Sequence, residues 1–325
     1  MKRTASTQAV LLAALAGFAA QDGIALAQTY PSKPVRILVG FAPGGGTDIM
    51  ARVVAAKLAD ALKQQFIVDN RPGANANLAA KIAAEAPGDG YTILFMSVAH
   101  IMSKPVYKNL GYDIERDLAP ITVVSSVPNV LCVHPSLPAR SVKDLIALAK
   151  AKPGELTYAT SGVGSPEHFA GEMFKMMTKT NLLAVPYKGG GPIAIDLVAG
   201  HVISSFNTMP PIIPHIRANR VRALAVTTEK RAGVLPDVPT VGESVPGYVM
   251  STWYGAVAPV KTPRDIVQRL NQEIVKTLAL ADVKEKLANL GADVVGTTTE
   301  ETAAIFKTDL AKFTKVAQAA NIRAD

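Results

Sequence analysis

The chain has 325 residues, 49% hydrophobic and 18% charged, a balance that excludes the disordered class and suits about two folded domains at roughly 100–200 residues each. Its net charge is +8, with Lys and Arg scattered among acids and aromatics at only 6%. No basic stripe with interleaved aromatics is present, which excludes a nucleic-acid-binding surface, while a diffusely positive protein attracts small anions modestly.

Lys2 and Arg3 open the chain, an apolar stretch from Ala9 to Ala20 follows, and Ala25-Leu26-Ala27 puts small residues where a signal peptidase reads them. This is the pattern of a secretory signal peptide, so residues 1–27 are expected to be removed by cleavage after Ala27 and the mature protein exported. The run is too short for an anchor, which needs ~20 apolar residues.

Val35–Val39 is a β-branched run ended by a glycine loop, and apolar residues at Met50, Val53, Val54, Leu58 and Leu62 repeat at helical spacing over 49–62. Phe66–Asp69 reads as a second strand, residues 77–86 as a helix and Tyr91–Ser97 as a third strand. This β-α-β-α-β order implies a mostly parallel sheet covered by helices. Further on, Ser141-x-x-Asp144 opens a helix running to about Lys150, with a capping serine. Strands are expected at 157–160, 183–187, 202–206 and 222–226, and helices at 166–177 and 192–199. Two long amphipathic helices, 263–279 and 300–319, close the chain. Long apolar strands near 121–133 and 221–227 indicate two lobes joined by a double crossing. The first lobe is then discontinuous, 28–125 with 225–325, and the second is 126–224.

Cys132 is the single cysteine and sits in the apolar run Asn129–Val133. It can form no internal disulfide and reads as a buried, inert thiol.

Three glycine-rich loops each end a strand and open a helix. The first is Gly40–Asp48, with Gly44, Gly45 and Gly46 in a row. Glycine admits positive φ and close approach to a ligand, and a helix start offers unpaired N–H groups to an anion. Thr47 or Asp48 is expected to cap this helix, and because a carboxylate facing the pocket would compete with a ligand anion, Asp48 reads as a cap or loop brace; a plain tight turn is the alternative. Walker A fails for want of its lysine, and the dinucleotide fingerprint fails for want of a third spaced glycine. The second loop, Thr160–His168, carries Ser165 as N-cap and Pro166 as first helical residue. His168 reads as structural, having no partner at nucleophile–base spacing. The third, Tyr187–Pro192, has Pro192 marking a helix start behind Gly189, Gly190 and Gly191. Lys188 either pairs with an anion or is solvated. Ligands in open α/β sheets bind at the C-terminal ends of strands, and these loops lie there on both lobes.

The catalytic inventory is thin. The five histidines make no metal-spaced pair, and neither a C-x-x-C nor a G-x-S-x-G elbow occurs. His100 follows the strand ending at Ser97 and is either structural or at the cleft. Trp253 with Tyr254, ahead of Gly255–Pro259, reads as core of the first lobe.

Phe41–Asp48 with Ala51-Arg52, Arg71–Gly73, Asp89–Tyr91, Tyr187–Gly189, Leu235–Thr240 and Trp253–Gly255, in this order, together resemble the Bug-type receptors, the substrate-binding proteins of tripartite tricarboxylate transporters. The resemblance runs from about Tyr30 to the C-terminus. It implies a periplasmic binding-protein fold (type II-like): two α/β lobes, each a mixed sheet flanked by helices, with the ligand in the cleft between them. It implies a small carboxylate ligand, no cofactor, no metal and a monomeric receptor serving membrane transporter subunits or a sensor. Its ligand contacts fall on Phe41, Gly45, Gly46, Thr47 and Asp48; on Ser161, Gly164 and Ser165; on Gly189, Gly190 and Gly191; and on Ser97 and Ala99. Two departures stand out. Gly190 and Gly191 replace a serine and an alanine common before Pro192, leaving only backbone donors there. Pro166-Glu167 stands where hydroxyl residues are common, and an inward Glu167 would favour a ligand with an amino group or only one carboxylate. A secreted enzyme acting on a small organic acid on the same scaffold is the competing reading, since one fold hosts many functions.

Overall fold

The computed structural model describes residues 30–324, so the signal-peptide reading of residues 1–27 lies outside the described residues. Every regular element falls in the compact unit Lys33–Asp325.

The unit opens with β1 (Val35–Val39), α1 (Gly46–Leu62), β2 (Phe66–Asn70), α2 (Asn77–Glu85) and β3 (Thr92–Ser97). β1 lies between β2 and β3, parallel to both. Ile37, Leu38 and Val39 are buried in succession, as in a parallel strand covered on both faces, while Arg36 near its start reaches out to pair with Asp69. A short α3 (Ala99–Ser103) leads to β4 (Leu118–Val133), a strand of 16 residues. Then come α4 (Val142–Ala151), β5 (Thr157–Thr160), α5 (Pro166–Thr178), β6 (Leu183–Pro186), α6 (Gly190–Ala199), β7 (Ser204–Thr208), α7 (Met209–Arg217) and β8 (Arg222–Val226). The chain closes with β9 (Ser251–Pro259), α8 (Arg264–Ala279), α9 (Ala281–Asn289), β10 (Asp293–Val294) and α10 (Thr299–Ala319).

β4 belongs to two sheets. Its first part runs antiparallel to β9, in the order β2-β1-β3-β9-β4. Its last part runs antiparallel to β7 and β8, in the order β4-β7-β5-β6. The change of partner is sharp: Pro128 pairs with Ser251 of β9, and Asn129 pairs with Thr208 of β7. Proline cannot donate to a ladder, so it suits the end of one pairing region. Both sheets are mixed, because the antiparallel β9 and β4 interrupt the parallel order expected from the β-α-β-α-β run.

Differences from the predicted elements have local causes. The third glycine loop's helix begins at Gly190, two residues before Pro192, with Gly189 as N-cap. Proline is tolerated at that third position because first-turn N–H groups have no helical acceptor. α7 carries Pro210, Pro211 and Pro214, and so has little helical signature in sequence. Cys132 is fully buried, and desolvation pushes its thiol pKa up.

Candidate functional site

The C-terminal ends of β1, β3, β5 and β7 converge on one cavity. From the side of β1 and β3 it is lined by Phe41, Gly45, Gly46, Thr47 and Ser97; from the side of β5 to β7 by Ser161, Pro166, Glu167, Gly190 and Thr208; Thr252 and Tyr254 of β9 complete it. Its interior space is about 20 Å³, on the order of one water molecule.

At the first loop only Gly44 needs positive φ (78°). Gly45 is the N-cap with extended backbone and without a capping side chain, so neither Thr47 nor Asp48 caps the helix. Gly46 is required for space: a Cβ there would lie 2.0 Å from Tyr254 Oη and 2.9 Å from Thr208 Oγ1. Asp48 is buried but does not line the cavity. Its carboxylate turns back to accept the Gly44 N–H at 3.0 Å and pairs with Arg52 at 2.9 Å and Asn70 Nδ2 at 3.0 Å. Burial alone would raise its pKa; the bonds from Arg52, Gly44 and Asn70 outweigh that and hold it below the usual carboxylate range. Asp48 therefore shapes the loop. Ala99 sits behind that loop, packed with Phe41 and Ala76.

At the second loop Ser165 is the N-cap of α5 and accepts the His168 N–H at 3.2 Å. Gly164 has φ 81° and donates its N–H to His168 Nδ1 at 3.3 Å. These residues and His168 brace the loop without lining the cavity. Ser161 and Glu167 face it, and Ser161 Oγ donates to Glu167 Oε2 at 2.5 Å.

The third loop meets the first through backbone. The Ala42 N–H donates to Lys188 O at 2.9 Å. A Cβ on Gly191 would lie 2.7 Å from Pro43 O and 2.9 Å from Gly44 C. Gly189 has φ 141°, a conformation open to glycine. Of these three glycines Gly190 lines the cavity, while Gly189 and Gly191 make the loop-to-loop contact. The Lys188 side chain is exposed.

Three lining residues, Thr208, Thr252 and Tyr254, were not among the contacts expected from the sequence. Tyr254 is 1% exposed, and its hydroxyl lies beside Thr208 with no partner of hydrogen-bonding geometry. Burial pushes its pKa up, and the nearby charge of Glu167 adds to this. Thr252 Oγ1 donates to Asn129 Oδ1 at 2.7 Å, so its oxygen is left as an acceptor. Hydroxyls thus reach the cavity from strands, where the sequence offered only backbone donors at the third loop. Trp253, on the opposite face of β9, stacks on Phe306 and donates to Asp309 at 2.7 Å, as core. Tyr254 does not share that role. His100 is fully buried with Nδ1 on Ser97 O and lies away from the cavity.

The sequence pattern of the tripartite tricarboxylate transporter family receptors matches residues 50–322. The chain belongs to this family. The receptor is 38% identical over 298 residues to the protein BugT of Bordetella pertussis, covering 90% of this chain and 91% of that one. It is 37% identical over 307 residues to a protein from the tcbD-tcbE intergenic region of Pseudomonas sp., with 90% and 91% covered. Among solved structures, R. palustris Rpa4515 with adipate superposes with a TM-score of 0.88 at 39% identity, over 90% of this chain and 99% of that one. The periplasmic binding protein BugD gives 0.88 at 31% identity, over 91% and 100%. MatC from Rhodopseudomonas palustris with bound malate gives 0.85 at 28% identity, over 88% and 99%. The fold is that of two-lobed periplasmic binding proteins, and the chain is a solute-binding receptor of this family. Among the described residues no helix is long and apolar enough to cross a membrane.

Proposed function

We propose that this receptor captures a small carboxylate and presents it to membrane transporter subunits or to a sensor, without turning it over. In this reading residues 1–27 are removed after Ala27 and the mature protein works in the periplasm. Residues 28–125 with 225–325 form one lobe, and 126–224 the other. The observation that carries the carboxylate is the pairing of a glycine-opened helix start with a buried, unpartnered hydroxyl, Tyr254 Oη, in one wall. A helix start presents free N–H groups and partial positive charge, and a phenol adds a directed donor. Relatives solved with adipate and malate support the same ligand class. The lining holds no His, Cys, Lys or Arg; its titratable side chains are Glu167 and Tyr254, and burial raises the pKa of both. The enclosed space of about 20 Å³ means that an organic acid enters only when the lobes part.

Calorimetric titration of the mature protein with mono-, di- and aminocarboxylates tests this. Saturable binding with the acid recovered unchanged is expected. Absence of binding across the panel, or conversion of a bound acid, would overturn the reading.

A further inference from the structure

The cavity is built between two helix starts, and they differ in one respect. At the start of α1 the nearby acid, Asp48, faces away and is neutralised by Arg52, so the donors there remain open to the cavity. At the start of α5 the acid faces in. Glu167 lines the cavity, is 3% exposed, and accepts the Ser161 hydroxyl at 2.5 Å. The backbone N–H groups of Ser161 and Glu167 and the Ser165 hydroxyl lower its pKa against the larger rise that burial causes. These are the donors that an incoming anion would use. The second helix start thus already carries an internal carboxylate, and no Lys, Arg or His lines the cavity to offset a second one. Tyr254, on the first side, feels that carboxylate across the space.

On the proposed carboxylate-receptor reading, the geometry points to Glu167 as the residue that sets ligand charge: this receptor takes a small molecule with one carboxylate and an amino group at its other end, and disfavours dicarboxylates. The carboxylate goes to the α1 start and Tyr254, and the ammonium goes to Glu167. Each end then meets its complement. A dicarboxylate would set its second carboxylate against a buried acid, and like charges so juxtaposed are strongly disfavoured. Burial, which raises the Glu167 pKa, makes an ammonium partner the more favourable, since it stabilises the charged form.

The test uses two chain-matched series on the full mature protein: butanoate, 4-aminobutanoate and succinate; hexanoate, 6-aminohexanoate and adipate. Calorimetry gives dissociation constants for the wild type and for Glu167→Gln, which keeps an acceptor for Ser161. In at least one series the wild type should bind the amino acid at least about tenfold more tightly than the dicarboxylate, by the cost of like-charge contact. Glu167→Gln should weaken the amino acid and strengthen the dicarboxylate, narrowing or reversing that order. The proposal is overturned if the wild type prefers the dicarboxylate in the series it binds, or if the variant leaves the order unchanged. Should the variant fail to fold, the wild-type order alone decides. Binding of no member in either series overturns the carboxylate-receptor reading, and this inference with it.

Discussion

Tyr254→Phe separates binding from folding at a single atom. The Tyr254 hydroxyl is buried beside Gly46 and Thr208 without a partner of hydrogen-bonding geometry. Burying a hydroxyl unbonded costs about 1–3 kcal/mol by protein measurements. Removing it should therefore leave stability unchanged or raise it, by roughly 2 °C or more in Tm for a domain of this size. A hydrogen bond to a charged group is worth about 1.5–3 kcal/mol. Ligand affinity should therefore fall about 10- to 150-fold. Differential scanning calorimetry of the free protein and titration calorimetry of the binding carboxylate give the two numbers. A variant that loses stability while keeping wild-type affinity would show that the hydroxyl serves the fold through Thr208, and would refute its assignment to the ligand.

Gly191→Ala should weaken ligand binding while leaving the free protein as stable as wild type. Its methyl meets backbone at Pro43 and Gly44, which no rotamer change relieves and only a parting of the two loops can; small-angle scattering should show a larger ligand-bound radius than for wild type, and wild-type affinity would count against closure through this contact. His100 should make the protein acid-sensitive. Burial lowers its pKa from 6.5 to about 4, so the unfolded chain binds the proton more readily. The neutral folded form is fully favoured above pH 6.5, and about 3 kcal/mol of stability is lost as pH falls from there to about 4. Denaturant unfolding at pH 7 and pH 4 measures this, and His100→Gln should show a smaller loss; equal losses would reject the assignment.

Strands at Val35–Val39, Thr157–Thr160 and Arg222–Val226 coincide with the runs read from sequence. Short apolar or β-branched runs bounded by turn residues carry their own signal. α8 and α10 were equally legible, because their apolar faces repeat at helical spacing. α7 was hidden by its prolines, and β9 by an apolar run with no alternation, being a central strand flanked by β3 and β4. That same lack of alternation concealed Thr252 and Tyr254. Successive strand side chains point to opposite faces, so these two share the cavity face while Trp253 turns to α10. Nothing in Thr-Trp-Tyr says which face is wet. The glycine loops were visible as sites, but their chemistry was partly misread. Positive φ explains Gly44 and Gly189, whereas Gly46 and Gly191 are glycine because another chain segment occupies the place of a Cβ. Close approach between distant segments leaves no mark within either one. Asp48, a cap or loop brace by its residue type and a ligand contact by the resemblance, braces the loop through Gly44, Arg52 and Asn70, the last 22 residues away at the end of β2.

The crossing between the sheets explains how such a cavity can close and remain aligned. Asn129 donates its N–H to Thr227 Oγ1 at 3.0 Å and its Nδ2 to Phe206 O at 2.8 Å, and accepts from Thr252 at 2.7 Å. Thr227 in turn donates to Met250 O at 2.7 Å. All of these side chains are buried, where an unmade hydrogen bond is costly, so the crossing strands hold one arrangement. Thr252 belongs both to this network and to the cavity wall. The rear of the cavity is therefore anchored to the fixed crossing, and at its front the Ala42 N–H donates to Lys188 O while Tyr107 Oη donates to Val163 O at 2.9 Å. Each such bond contributes only about 0.5–1.5 kcal/mol. A ligand that touches both loops favours the closed arrangement further, because only differential affinity for the two arrangements shifts such an equilibrium.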